Sequence, residues 1–492
     1  MAEPDVPTAP TSAPGGPRSD PDPALVAELR AAAEAVAPGV RADLEALVRI
    51  PSVSAAAFDQ AHVEASAEAV ADLLRGAGLP SVRVVRVPGP DGRPGAPAVL
   101  ARRPAPEGRP TVLLYAHHDV QPPGDDADWA SPPFEPTERD GRLFGRGAAD
   151  DKAGVMAHVA ALRTLLPRWS DDDGVGVTVF VEGEEEVGSP SFGTFLQTFR
   201  DDLAADVIVV ADSANFAVGV PALTTTLRGL VDCEVRLDVL SHAVHSGING
   251  GPVLDALTLL CRLLATLHDE AGDVAVAGLH RGTATDPGLD EATFRTDAGV
   301  LDGVRLAGTG SLADRLWTRP ALAVVGLDAT PVDRASNTLL PSARAKLSLR
   351  VAPGQDPAEA ARALHEHLLA HAPFGARVQV VPGEEGRPFS ADTSSAAHDV
   401  ARRAFAAAFG AEVVETGMGG SIPFVADLAA VYPGAAILVT GVEDPDSRAH
   451  GADESLHLAD FARVCLGEVL LLEGLAAGDP VPDPPRTGPR TS

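Results

Sequence analysis

The sequence predicts an α/β protein whose main domain is interrupted by a second, inserted domain. Three observations predict this. Short apolar runs at Val112 to Tyr115, Val175 to Val181, Asp206 to Val210 and Ala435 to Thr440 have the continuous hydrophobicity of strands buried on both faces. Helix-like stretches separate most of them, as in an α/β sheet. Between Thr224 and Pro382 the rhythm changes: Val231, Cys233, Val235, Leu237 and Val239 alternate strictly, as in a sheet with one covered face.

Bulk properties agree. A chain of 492 residues exceeds one ordinary core, and 45% hydrophobic with 22% charged residues describes a globular protein. The net charge of −30 argues against nucleic acid or an anionic membrane surface as partner. Cys233, Cys261 and Cys465 have no C-x-x-C spacing; they imply neither a disulfide framework nor a thiolate zinc site, and all three read as small core residues. Met1 to Asp22 lacks a basic n-region and an apolar h-region. No later segment offers the ~18 uninterrupted apolar residues of a membrane span. A cytoplasmic protein is expected.

Taken in order, residues 1–22 and 478–492 are rich in Pro and are expected to be disordered tails. Ala24 to Val48 is helix-like, with an interruption expected at Pro38-Gly39, and Pro51 ends its second half. His62 to Leu74 is a helix stopped by Gly76 and Gly78. Strands are expected at Val82 to Val87 and Ala98 to Arg102, followed by the run that leads into His117. Gly145 to Lys152 is a loop entering a helix with Val155, Val159, Leu162 and Leu166 on one face. In the middle segment a helix over Pro252 to His268, strands at Ala321 to Gly326 and Ala343 to Val351, a helix over Pro357 to His371 and a strand at Val378 to Val381 follow the alternating strand. That order, β-α-β-β-α-β, is the ferredoxin-like plan. Gly272 to Ser311, polar and Gly-rich, is expected to be an elaborated loop.

The chemistry gathers at the strand ends: His117, Asp119, Asp150, Glu185, Glu186, Asp212 and His450. In open α/β sheets ligands bind beyond the carboxyl ends of the strands. Carboxylates and imidazoles without thiolates suit Zn²⁺, Mn²⁺ or Co²⁺ at an open catalytic site, and this many could serve two ions if one carboxylate bridges them. Any one of these carboxylates alone reads as a helix N-cap or a solvated loop charge. Their joint placement after apolar runs favours a metal site.

The segments His117-x-Asp119 with Val-Gln-Pro, Gly145-Arg-Gly-x-x-Asp-Asp-Lys152, Glu182-Gly-x-Glu-Glu-x-Gly-Ser189 and Gly-Gly-Ser-Ile-Pro423 resemble the M20 family of metallopeptidases. The closest resemblance is to its dipeptidase branch, carnosinase-like and cytosolic non-specific, over about Leu47 to Leu458. The resemblance implies a zinc-peptidase-like catalytic domain with a mixed central sheet flanked by helices, over residues 23–222 and 384–477. It also implies an inserted ferredoxin-like lid and dimerisation domain over 223–383. It assigns His117 and Asp212 to one metal, Glu186 and His450 to the other, and Asp150 as the bridge, in preference to Asp151. Asp119 orients His117. Glu185, rather than Glu184, is the general base acting on a metal-bridging water. Two divalent ions are implied, Zn²⁺ first, with Mn²⁺ and Co²⁺ as alternatives. His245 reaches across a homodimer to the oxyanion, Asn337 and Arg350 contact the substrate, and Gly419, Gly420 and Ser421 cradle its carboxylate. The expected reaction is hydrolysis of dipeptides or short peptides with a free C-terminal carboxylate. The alternatives are a related amidohydrolase acting on N-acyl or N-carbamoyl amino acids and a catalytically silent protein on the same fold. The intact ligand set and Glu185 weigh against the silent reading. Two departures stand out: Gly417-Met418 replaces the Arg-Glu common in carnosinase-like relatives, and His118 replaces a common Tyr or Leu.

Overall fold

The computed structural model describes residues 21–420 and 423–478. Its centre is a nine-stranded mixed sheet. The order is Ser81–Val85, Ala98–Arg103, Gly176–Glu182, Thr111–His117, Val207–Val210, Ala436–Val439, Ala222–Leu227 and Phe389–Ser390, with Val414–Met418 also paired to Ala222–Leu227. The four strands from Gly176–Glu182 to Ala436–Val439 run parallel. Antiparallel pairs flank them on both sides. Val112, Leu114 and Ala116 pack into one core and Leu113 and Tyr115 into the other, so the run is apolar throughout because both its faces are covered. One face carries the helices Pro23–Val48, Ala61–Gly76, Lys152–Leu165, Ala396–Phe409 and Leu458–Ala477, and the other carries Phe192–Thr198 and Pro423–Val431.

Several expectations need correction. Pro38 does not interrupt the first helix, which runs unbroken over Pro23–Val48. Pro38 faces solvent, where water can satisfy the carbonyl it strips of a partner, while Val40, Leu44 and Leu47 anchor the second half in the core. Asp22 caps this helix, its carboxylate accepting from the Ala24 N–H at 2.9 Å, so residues 21 and 22 belong to the folded part rather than to a tail. The rest of the expected tails, 1–20 and 479–492, lie outside the described residues. The helix Lys152–Leu165 is buried on every side except at Arg163, because it is sandwiched between the sheet and the helices Pro23–Val48 and Leu458–Ala477. Cys233 and Cys465 are buried as expected, but Cys261 is exposed.

A second sheet is fully antiparallel, in the order Ala321–Asp328, Ser342–Val351, Gly229–Asp238, Arg377–Gly386. With the helices Ala256–Leu264 and Pro357–Ala370 on one face, it follows the β-α-β-β-α-β order. The helix expected from Pro252 starts only at Ala256, because Asp255 caps it by accepting from the Thr258 N–H at 3.0 Å and hydroxyl at 2.7 Å. The 272–311 segment is largely irregular and carries one short helix, Glu291–Asp297. A small third sheet pairs Ser455–His457 with Arg142–Phe144 and Thr137–Arg139, and nothing in the sequence pattern announces it. Among the described residues no helix is long and apolar enough to cross a membrane.

Gly154, near the start of the buried helix, fits because it has no side chain. A Cβ there would lie 2.1 Å from Asp151 Oδ1 and 2.5 Å from the Ala211 carbonyl oxygen. Gly154→Ala is expected to lower stability by about 1–3 kcal/mol, read from the midpoint of urea unfolding. An unchanged midpoint would mean that the helix start and the Ala211 strand end can separate at no cost.

Candidate metal centre

The parallel strands all end on one edge of the large sheet, which collects their C-terminal residues. His117 is the last residue of its strand and stands in register with Glu182. Glu185 and Glu186 form the tight turn Glu185–Val187 just beyond Glu182, and Asp212 follows Val207–Val210 closely. Asp150 lies on the loop that enters the buried helix, as expected of residues 145–152, and this loop follows Arg142–Phe144 rather than a strand of the large sheet. His450 lies well past Ala436–Val439, with a left-handed backbone (φ 63°).

Two clusters result, and they share one member. The ligand atoms of His117, Asp150 and Asp212 lie within 4.8 Å of one another, and so do those of Asp150, Glu186 and His450. His117 Nε2 is 3.0 Å from Asp150 Oδ1, and His450 Nε2 is 3.0 Å from Asp150 Oδ2 and 3.2 Å from Glu186 Oε2. Asp150 thus offers a different oxygen to each cluster. One divalent cation could touch all three members of either set, and the donors, imidazole and carboxylate without thiolate, fit such an ion.

The electrostatics have the same origin. Burial pushes Asp212 up to about 7, reinforced by Asp150 and Glu186 and offset by His117. Burial, then the Asp212 charge, pushes Glu185 well above the usual carboxylate range. Asp150 is the exception: burial acts upward, but hydrogen bonds to His117 and His450 outweigh it and hold its carboxyl low. Contacts with Asp150 and Glu186 push His450 up to about 11.

Asp119 is fully buried. His117 Nδ1 lies 3.0 Å from the Asp119 backbone carbonyl and 3.4 Å from its carboxylate, so both groups of this residue face the ring. The carboxylate also accepts the N–H groups of Glu185 (3.2 Å) and Glu186 (3.1 Å), fixing the glutamate turn. Asp151, passed over as a ligand, accepts from the His117 N–H at 3.1 Å. Glu184 is turned away, accepting from Ser191 N at 2.6 Å and Ala96 N at 3.0 Å. His118 packs with Nε2 2.9 Å from the Pro97 carbonyl, and burial lowers its pKa to about 4.

Three residues escaped the sequence reading. Gln121 holds Glu186 through its N–H (3.1 Å to Oε1) and its amide (2.8 Å to Oε2). Glu443 is pushed well above the usual carboxylate range by burial, then by the charges of Asp150 and Asp212. It follows an apolar run, the signal that marked Asp212, and could have been found that way. Glu454 is fully buried against the Asp150 loop.

The expected substrate-side residues lie outside both clusters. His245 is exposed, and its contacts are local. Its backbone pairs with Thr338, and its Nδ1 accepts from the Gly247 N–H at 3.0 Å. Asn337 is its neighbour, since Ser246 N donates to the Asn337 carbonyl at 2.9 Å. Arg350 is partly buried on Ser342–Val351, facing Leu230 and Ala321 in register. The Gly419 carbonyl accepts from Arg228 Nε at 3.0 Å, Gly420 follows it, and Ser421 lies outside the described residues. Gly417 sits beneath Trp317, where a Cβ would come within 2.6 Å of the Trp317 Cβ and 2.5 Å of Thr226 Oγ1. A side chain at that position would force Trp317 or Thr226 to shift.

Comparison with known proteins agrees with the geometry. Residues 113–468 match the model of peptidase family M20/M25/M40. The cysteinylglycine-S-conjugate dipeptidase of Corynebacterium striatum is 40% identical over 369 residues, 74% of this chain and 80% of that protein. The β-Ala-His dipeptidase of Rattus norvegicus is 29% identical over 72% of this chain and 75% of its own length. In fold, the crystal structure of human carnosine dipeptidase 1 matches with a TM-score of 0.72 at 23% identity, covering 92% of this chain and all of the other. The family match spans most of the chain, and the two clusters lie within it, so the chain belongs to peptidase family M20/M25/M40.

Proposed function

We propose that this chain is a metal-dependent dipeptidase, cleaving dipeptides or short peptides that carry a free C-terminal carboxylate. The observation that carries the reading is the pair of ion-sized clusters sharing Asp150, with the half-buried Glu185 next in sequence to Glu186 of the second cluster. The dipeptidases among its relatives favour this over the amidohydrolase alternative.

In this reading His117 and Asp212 hold one divalent ion, Glu186 and His450 the other, and Asp150 both. Zn²⁺ suits the mixed imidazole and carboxylate donors first, with Mn²⁺ and Co²⁺ next. When bound, the ions supply Lewis acidity to the scissile carbonyl and the attacking water. Glu185 would take the proton of that water and return it to the leaving amine, tasks open to a carboxylate that belongs to neither cluster. Asp119 and Gln121 hold the glutamate turn so that Glu186 stays on the ion while Glu185 stays free. Arg350, through its planar fork, Asn337 and the Gly419–Ser421 segment receive the substrate carboxylate.

A homodimer through the 223–383 domain is part of the reading. His245, exposed and engaged only locally here, is assigned to the oxyanion in the neighbouring subunit. Support comes from the edge strand Ala321–Asp328, where Val324, Val325 and Leu327 are 46%, 58% and 46% exposed. The cytoplasm is the compartment that suits three free cysteines, two of them buried.

Glu185→Gln is expected to lower kcat by about 10²–10⁴ with metal content unchanged. The wild type is expected to cleave Ala-Ala, spare the amidated Ala-Ala and N-acetyl amino acids, and lose activity when stripped of metal. Cleavage of the N-acetyl substrates alone would transfer the reading to the amidohydrolases. Val325→Arg is expected to give a monomer by sedimentation that still binds metal but turns over poorly; a fully active monomer would remove His245 from the mechanism.

The metal response should also depend on pH. Asp212 has a folded-state pKa of about 7 against 3.8 ordinarily. The stability it contributes without metal is therefore complete below about pH 4 and is lost as the pH rises through its folded value. A cation favours the ionised form, so the gain in Tm on adding Mn²⁺ is expected to be larger near about pH 8 than near about pH 5. Equal gains would contradict Asp212 as a ligand.

A further inference from the structure

Glu454 and Arg146 form an ion pair that is 0% and 1% exposed and lies outside both clusters. The Glu454 carboxylate is surrounded by donors. Oε2 accepts from Arg146 Nη1 at 2.5 Å and Gly147 N at 3.0 Å, while Oε1 accepts from Ala149 N at 3.0 Å and Asp150 N at 3.1 Å. The Glu454 carbonyl also accepts from Gly145 N at 3.0 Å. One side chain therefore sets the backbone of the loop that presents Asp150. Arg146 extends the tie in the other direction, donating from Nη2 to the Gly451 carbonyl at 3.0 Å and the Pro122 carbonyl at 3.4 Å. Gly451 is the residue after His450, and Pro122 follows Gln121, which holds Glu186.

We propose that the buried Arg146–Glu454 pair is the positioning element that sets the separation of the two cation sites. The inference rests on reading the clusters as paired sites. All three members of the second cluster hang on the pair: Asp150 through its own N–H, His450 through the next peptide, and Glu186 through the segment Gln121–Pro122. Of the first cluster, His117 and Asp212 are placed by the large sheet and only Asp150 depends on the pair. Buried charges of this kind are poor sources of net stability, since desolvation offsets their attraction. What they supply here is geometry, and groups that hold ligands in place typically govern metal affinity by about 10–100-fold.

The test is stepwise Mn²⁺ binding to the metal-stripped full chain by calorimetry, with electron paramagnetic resonance to detect exchange coupling between two bound ions. Glu454→Gln keeps the volume but turns an amide NH₂ towards backbone N–H groups. It is expected to weaken the second binding step by about 10–100-fold, the first by less than about 3-fold, and to change or abolish the coupled signal. Arg146→Lys keeps the charge but loses the fork that reaches Gly451 and Pro122, and it should reproduce the loss at the second step even if Glu454→Gln does not fold. A folded variant that binds both ions with wild-type affinity and coupling, but melts earlier, would reduce the pair to a structural brace and overturn the inference. If the wild type itself binds fewer than two ions, the paired-site reading fails first, and the two failures are thereby distinguished.

Discussion

Repulsion between like charges is the constraint on which this architecture turns. Asp150, Glu185, Glu186 and Asp212 converge on one small region; burial first, and neighbouring negative charge second, make Glu185 and Asp212 resist ionisation, while hydrogen bonds from His117 and His450 keep Asp150 charged. A flexible loop would relieve the strain by moving its carboxylate out to solvent. Here the carboxylates leave strands that are buried on both faces, or a loop fastened at several points, so they cannot retreat. Cations are the chemical answer to such an arrangement, and the rigid parallel strands are what keep it from dissolving without them.

The strand framework was largely legible because burial on both faces leaves a continuous apolar run, a signal that needs no long-range information. The residues of the two clusters were legible for a related reason: polar groups seldom end several such runs together unless a ligand offsets the cost of burying them. What could not be read depends on partners far away in the chain. Glu454, in Gly-Ala-Asp-Glu-Ser, looks like part of a surface turn; its burial comes from Arg146 and the Asp150 loop, about three hundred residues earlier. The uninterrupted helix through Pro38 likewise depends on which side of the helix meets the core, and the proline alone does not announce it. Asp119 shows what spacing leaves out. Its carboxylate does reach the His117 ring, at 3.4 Å, but the nearer carbonyl and the N–H groups of the glutamate turn that the same carboxylate accepts are not legible in the His-x-Asp pattern.

The two sheets meet at a single residue. Ala222–Leu227 belongs to the large sheet and Gly229–Asp238 to the smaller, leaving only Arg228 between them. Its guanidinium donates to the carbonyls of Gly419, Arg315 and Arg319, so the junction, the glycine segment and the turn before Ala321–Asp328 are fastened at one point. Burial lowers its pKa to about 10, which still leaves it charged at neutral pH.

The contact between Gly417 and Trp317 has an evolutionary consequence. A side chain at 417 has nowhere to go while the indole covers it, and the Thr226 hydroxyl closes the remaining side. An arginine introduced there alone would therefore be rejected on packing grounds before any benefit in recognition could be selected. Because the nearest Trp317 atom is its Cβ, which every residue but glycine carries, trimming 317 to a smaller side chain would not open the site; room at 417 requires the backbone around 317 to move.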